Sequence, residues 1–131
     1  MRKIFLYEKD GVSQVENFFS DTDEKIRSKL NFLIAYITDE KNKFTQPYVK
    51  HFSIGKYRLM YELRIKNSNS KVRVVFYEHN DEVVLIYAFY KKDNKDTERY
   101  AEIALRMLNS VLNVNGDIPV SNKKEYTCGK K

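Results

Sequence analysis

Three apolar runs in the second half of the chain limit what it can fold into: Met60–Lys66, Lys71–Phe76 and Val83–Tyr90. Each has strand length and is rich in β-branched and aromatic residues. They are separated only by the turn-forming stretches Asn67-Ser68-Asn69-Ser70 and His79-Asn80-Asp81, so an antiparallel meander is expected. The first run alternates. Leu59, Tyr61, Leu63 and Ile65 fall on one face, and Met60, Glu62, Arg64 and Lys66 on the other, which reads as a core face and a polar face. Val83–Tyr90 is apolar throughout, as a central strand covered on both sides would be.

The helices needed to cover such a sheet are also readable. Ile26, Leu30, Leu33, Ile34 and Ile37 form one apolar stripe at helical spacing, with Asp21 and Glu24 placed as a capping box ahead of them. Val12–Phe19 can form a shorter helix before it, giving a helical hairpin after a first strand at Ile4–Tyr7. Lys41–Pro47 reads as a polar loop. Tyr100, Ile103, Ala104, Met107, Leu108 and Val111 make a last helix behind Asp96-Thr97 as capping residues. The expectation is one α+β domain over residues 1–112. In it a helical hairpin and a C-terminal helix pack on a mostly antiparallel sheet of about four strands. Residues 113–131, with Gly116, Pro119, Gly129 and Lys123, Lys124, Lys130 and Lys131, are expected to form an irregular tail.

Length and composition agree with a single domain. A chain of 131 residues with 42% hydrophobic side chains, ten Tyr and eight Phe can bury roughly two thirds of its unfolded surface without staples. One cysteine, Cys128, excludes an internal disulfide framework and suits a reducing cytoplasm. Arg2 and Lys3 precede an apolar run too short for a signal segment or a membrane span. His51 and His79 are far apart in the sequence and the cysteine is terminal, so no metal-ligand set is visible; no glycine-rich phosphate loop and no cofactor motif occur either.

Charge placement is more specific than the formal net charge of +6. Arg64, Arg73 and the pair Lys91-Lys92 lie on or at the ends of successive strands. A sheet holds neighbouring strands about 5 Å apart and fixes side chains more firmly than a loop does. Such cations can converge on a phosphate, which points to chemistry on a nucleic-acid backbone. The plainer alternative is that Arg64, Lys66 and Arg73 solvate the outer face of the sheet.

Tyr61-Glu62-Leu63-Arg64-Ile65, Arg73-Val74, Ala88-Phe89-Tyr90-Lys91-Lys92 and Glu102-Ile103-Ala104 occur in that order. Over roughly residues 44–108 this resembles the phage-derived Gp49-like or HigB branch of the RelE/ParE toxin superfamily. The resemblance implies a RelE-like fold and a type II toxin that cleaves messenger RNA in the ribosomal decoding site. It also implies a tightly bound cognate antitoxin, of the helix-turn-helix HigA-like kind, in a cytoplasmic hetero-oligomer. By the same resemblance Arg64, Arg73 and Lys91 or Lys92 occupy positions of catalytic or phosphate-binding cations. Tyr100 lies near a functional tyrosine of RelE, although its helical spacing equally suits a core residue. Glu62 is a candidate general base, the alternative being an exposed strand position. The Thr-Pro pairs usual after the third strand are replaced by Asp93-Asn94-Lys95-Asp96-Thr97. Two other readings stay open: a ParE-like non-nuclease that inhibits gyrase, and a catalytically silent nucleic-acid or protein-binding module.

Overall fold

The computed structural model describes residues 1–126; Cys128, Gly129, Lys130 and Lys131 lie outside the described residues. The meander is present as β3 (Met60–Asn67), β4 (Ser70–His79) and β5 (Glu82–Tyr90), and the other elements are arranged around it. β1 (Lys3–Tyr7) lies parallel to β5, with Ile4 opposite Val83 and Leu6 opposite Leu85. Two strands that carry no readable sequence pattern complete the sheet: β2 (Val49–His51) beside β3, and β6 (Lys123–Glu125) beside β1. The described residues thus form a six-stranded sheet in the order β2-β3-β4-β5-β1-β6, not one of about four strands. The α+β class and the mostly antiparallel character are as expected.

The two faces of the sheet carry separate cores. On one, α1 (Gln14–Ser20) and α2 (Glu24–Thr38) bury Val15, Phe19 and the whole stripe Ile26, Leu30, Leu33, Ile34 and Ile37 against Leu63, Ile65, Val74 and Phe76. On the other, α3 (Asn94–Val111) lays Ala101, Ala104, Leu105 and Leu108 over Met60, Val75, Ile86 and Phe89. The face read as polar on β3 is therefore covered: Met60 is fully buried. Alternation separates two faces but does not show which of them receives a helix.

Helix ends differ from expectation in ways that matter near the site. Asp23, not Asp21, is the N-cap of α2, without a side-chain cap bond, while Asp21 closes α1. Arg27 instead donates to the carbonyls of Phe19 and Thr22 between the two helices. At α3 the N-cap is Asp93: its carboxylate accepts from the backbone N–H of Lys95 and Asp96, and Asp96 reaches back to complete a capping box. The box starts three residues earlier than the Asp96-Thr97 reading, so the helix begins close behind Lys91.

β5 is held on its far side as well. Beyond the short pairing with β1, Gln14 substitutes for a neighbouring strand. Its side chain both accepts from the Ala88 N–H and donates to the Ala88 carbonyl, each at 2.7 Å. A β-bulge opposite Val75 leaves Ile86 as the extra residue of β5 and increases local twist. The segment after α3 is not wholly irregular. Ile118 is buried, Tyr77 donates to the Gly116 carbonyl at 2.7 Å, and Lys123–Glu125 forms β6.

Candidate functional site

Register brings the cations together. Arg64 pairs directly with Arg73 across β3 and β4, and Lys66 with Lys71 one same-face step further on. Lys91 follows β5 with its N–H bonded to the Lys71 carbonyl at 2.8 Å, and Lys50 of β2 lies opposite Glu62. Directly paired residues of antiparallel strands point to the same side, so these cations and Glu62 share the α3 face. Two successive like-charge pairs cost stability in a sheet.

Glu62 is the exception in sign and in burial, being only 2% exposed. Its Oε1 lies 3.8 Å from Arg73 Nε and 3.9 Å from Arg64 Nε, while its Oε2 is buried with no hydrogen-bond partner. These separations are ionic rather than hydrogen-bonded. Burial raises the Glu62 pKa above the ordinary carboxylate range, and Arg73, Arg64, Lys91 and Lys50, in that order, pull it back down. Arg73 is itself 5% exposed with an unpartnered Nε, and burial lowers its pKa. Burial and the neighbouring Arg73 lower that of Lys91 as well.

A cleft of about 290 Å³ opens beside this carboxylate. Glu62, Lys50 and Lys91 line it from the sheet, and Asn94, Thr97 and Glu98 from the first turns of α3. Thr97 Oγ1 is buried without a partner. Cations, a hydroxyl, an amide and a carboxylate whose pKa burial raises can together bind a phosphodiester and exchange protons with it.

The remaining candidates are distributed differently. Lys92 does not join the cluster: its backbone N–H bonds Asp96 Oδ2 at 2.7 Å, and its side chain is exposed. Tyr100 is half-buried in a ring stack, 4.5 Å from Phe89 and 5.6 Å from Tyr87 between centroids, and its hydroxyl meets Arg99. Its contacts are those of a packing residue of α3. His51 stacks on Tyr61 on the opposite face and bonds the Arg58 carbonyl, while His79 sits beside Asp117. The acid of Asp96 is engaged: hydrogen bonds from the Lys92 and Asp93 N–H groups hold its pKa low, and Arg99 pairs with it. Lys50 and Thr97 were not anticipated. Lys50 sits on a strand of three residues, and Thr97 reads in the sequence as a capping residue.

A family model described as "Phage derived protein Gp49-like (DUF891)" matches residues 17–109. The chain belongs to the Gp49-like family. That family falls in the RelE/HigB-like toxin-antitoxin superfamily and is generally a family of toxins from such systems. No curated protein and no solved structure matches the chain. The match runs from α1 through nearly all of α3, and so contains Lys50, Glu62, Arg64, Arg73, Lys91 and Thr97. Among the described residues no group of three or more His, Cys, Asp or Glu is placed to hold a metal ion, and no helix is long and apolar enough to cross a membrane.

Proposed function

We propose that this Gp49-like protein is a toxin of the HigB kind that cleaves messenger RNA on the ribosome without a metal. The observation that carries the reading is the buried Glu62, flanked at 3.8 and 3.9 Å by Arg73 and Arg64 on a rigid sheet. Glu62 takes the proton of a ribose 2′-hydroxyl, and the 2′-oxygen attacks the adjacent phosphorus. The bond from phosphorus to the 5′-oxygen breaks as Lys91 donates a proton to that oxygen. The products are a 2′,3′-cyclic phosphate and a 5′-hydroxyl end. Arg64 and Arg73 offset the charge that grows on the non-bridging oxygens; their guanidiniums suit bidentate phosphate contact. An ammonium with a lowered pKa is the better proton donor. The ribosome supplies the alignment of the 2′-hydroxyl that a small site cannot impose alone.

In the cell such a protein is held by a cognate antitoxin, a helix-turn-helix HigA-like protein, in a cytoplasmic hetero-oligomer. The surplus of cations on the α3 face favours an acidic partner segment. The test is brief induction followed by mapping of messenger RNA ends. Glu62→Gln is expected to relieve growth arrest and lower cleavage by about 10² or more, and Arg73→Ala by about 10². Full cleavage by both folded variants would overturn the assignment. Growth arrest with intact messenger RNA would favour a ParE-like gyrase inhibitor, and neither arrest nor cleavage a silent binding module.

A further inference from the structure

A second cleft, of about 490 Å³, has Arg64 and Arg73 among its lining residues. It exists because β2 is short. The last pairing of that strand is Val49 with Leu63, and after Tyr48 accepts from the Arg64 N–H the edge of β3 runs on without a neighbour. Lys29 of α2 reaches across to bond the free Lys66 carbonyl at 2.7 Å. Between α2 and this open edge the cleft is walled by Phe32, Tyr48 and Ile65 and rimmed by Lys66 and Lys71.

Two properties set this place apart. Phe32 is 58% exposed although its ring lies edge-on to Tyr48, with centroids 5.9 Å apart. Lys66 and Lys71 face each other without a carboxylate partner among the described residues. An exposed aromatic face beside unpaired cations is the combination by which single-stranded nucleic acid is held: bases stack on rings and phosphates meet the charges.

Resting on the RNA-cleavage reading of the adjoining face, we infer that the cleft between α2 and the open β3 edge is a nucleobase subsite, taking the base of a nucleotide next to the scissile phosphate. The sheet sets the spacing. The Arg64–Arg73 pair and the Lys66–Lys71 pair are one same-face step apart, about 6.8 Å along the strand, which is of the order of one nucleotide in an extended chain. A strand with its reacting phosphate at Arg64 and Arg73 therefore brings its next phosphate to Lys66 and Lys71. The attached base then falls over the Phe32 and Tyr48 rings. An acidic amphipathic peptide would also meet charge and apolar surface here. RNA is favoured because Arg64 and Arg73 line this cleft and lie 3.9 and 3.8 Å from Glu62, which lines the first, so one ligand continues from one to the other.

The test uses the full chain and nuclear magnetic resonance titration with two trinucleotides, each carrying a 2′-deoxy sugar at the central position to block cleavage. One is complete and one lacks the base that follows the central phosphate. Phe32 is exposed, so Phe32→Ala leaves the core intact. Phe32→Ala is expected to weaken the complete trinucleotide by about five- to thirty-fold and to leave the abasic one unchanged, with shifts in the wild type at Phe32 and Tyr48. Binding lost on Arg64→Ala or Arg73→Ala but indifferent to Phe32 and to the missing base would remove the subsite and keep the RNA-cleavage reading. No binding of either trinucleotide at millimolar concentration would remove the subsite, while the mapping of messenger RNA ends decides the cleavage reading separately. A third titration uses a helical peptide of alternating Leu and Glu turns. Binding of that peptide that depends on Phe32, with trinucleotide binding independent of it, would make the cleft a protein-docking site instead.

Discussion

Glu62 and Lys91 have pKa values displaced toward each other, and each displacement has burial as its first cause. A base must be deprotonated and an acid protonated, so cleavage should follow a bell-shaped pH profile. Its acid limb should lie above the ordinary glutamate value of about 4.3 and its alkaline limb below the ordinary lysine value of about 10.4. Because the two groups also feel Arg73 and each other, the limbs belong to the cluster rather than to single residues. Lys91→Arg keeps the charge but removes the low-pKa ammonium. Its rate should fall, and its alkaline limb should move up or vanish while the acid limb stays. A profile unchanged in shape would exclude Lys91 as the proton donor. Residues of this kind are only half legible in a sequence. That Arg64 and Arg73 can converge followed from their places on successive strands of a meander. That Glu62 is buried did not follow, because the depth of its face is set by α3, which packs there from thirty or more residues away.

Short elements were the least legible, and each is held by something other than an apolar pattern. Val49–His51 offers one buried side chain and pairs through its backbone, so Lys50 was not seen to oppose Glu62. Lys123–Glu125 has no apolar residue at all and lies on β1 by main-chain bonds. The long periodic segments, α2 and the meander, were readable because their periods of 3.6 and 2 persist over enough residues to exclude the alternative. α3 is tied to the loop before β3 by one carboxylate. Tyr57 donates to Glu102 Oε1 at 2.8 Å and Lys56 pairs with the same oxygen at 2.8 Å, which lowers the Glu102 pKa to about 2. A depressed carboxylate stabilises the fold above its unfolded value of about 4.3 and loses that contribution as pH falls toward 2. Glu102→Ala should therefore unfold at a lower temperature than the parent at pH 7, and the gap should narrow on acidification below about pH 4. A gap constant from pH 7 to pH 2 would show the contact to be one of packing. At the turn after α3, Gly116 has φ +91° and a Cβ there would come within 2.6 Å of the His79 ring. Gly116→Ala should cost about 1–2 kcal/mol by thermal unfolding.

At the scale of the whole molecule, the family match at residues 17–109 leaves out two strands that pair with each other. β1 and β6 run antiparallel with Phe5 opposite Glu125, and the Tyr126 N–H extends the ladder to the Ile4 carbonyl at 2.9 Å. β1 is also the parallel neighbour of β5, the strand that ends at Lys91. The C-terminal segment thus supports the site from a distance, through β1 and β5, although none of its described residues lines either cleft. A chain ended at Leu112 loses β6, the burial of Ile118 and the Tyr77–Gly116 hydrogen bond, and it leaves β1 as an open edge prone to pair with other chains. Burial of one isoleucine alone is worth about 1.5–3 kcal/mol. The truncated chain should therefore be less stable to urea unfolding than the full one by at least that much, and should aggregate more readily. Cleavage normalised to the folded fraction should be retained, since Lys50, Glu62, Arg64, Arg73 and Lys91 all remain. Equal urea midpoints would mean that the last segment adds nothing to the fold. A loss of normalised cleavage at full folding would mean that it acts on the site directly.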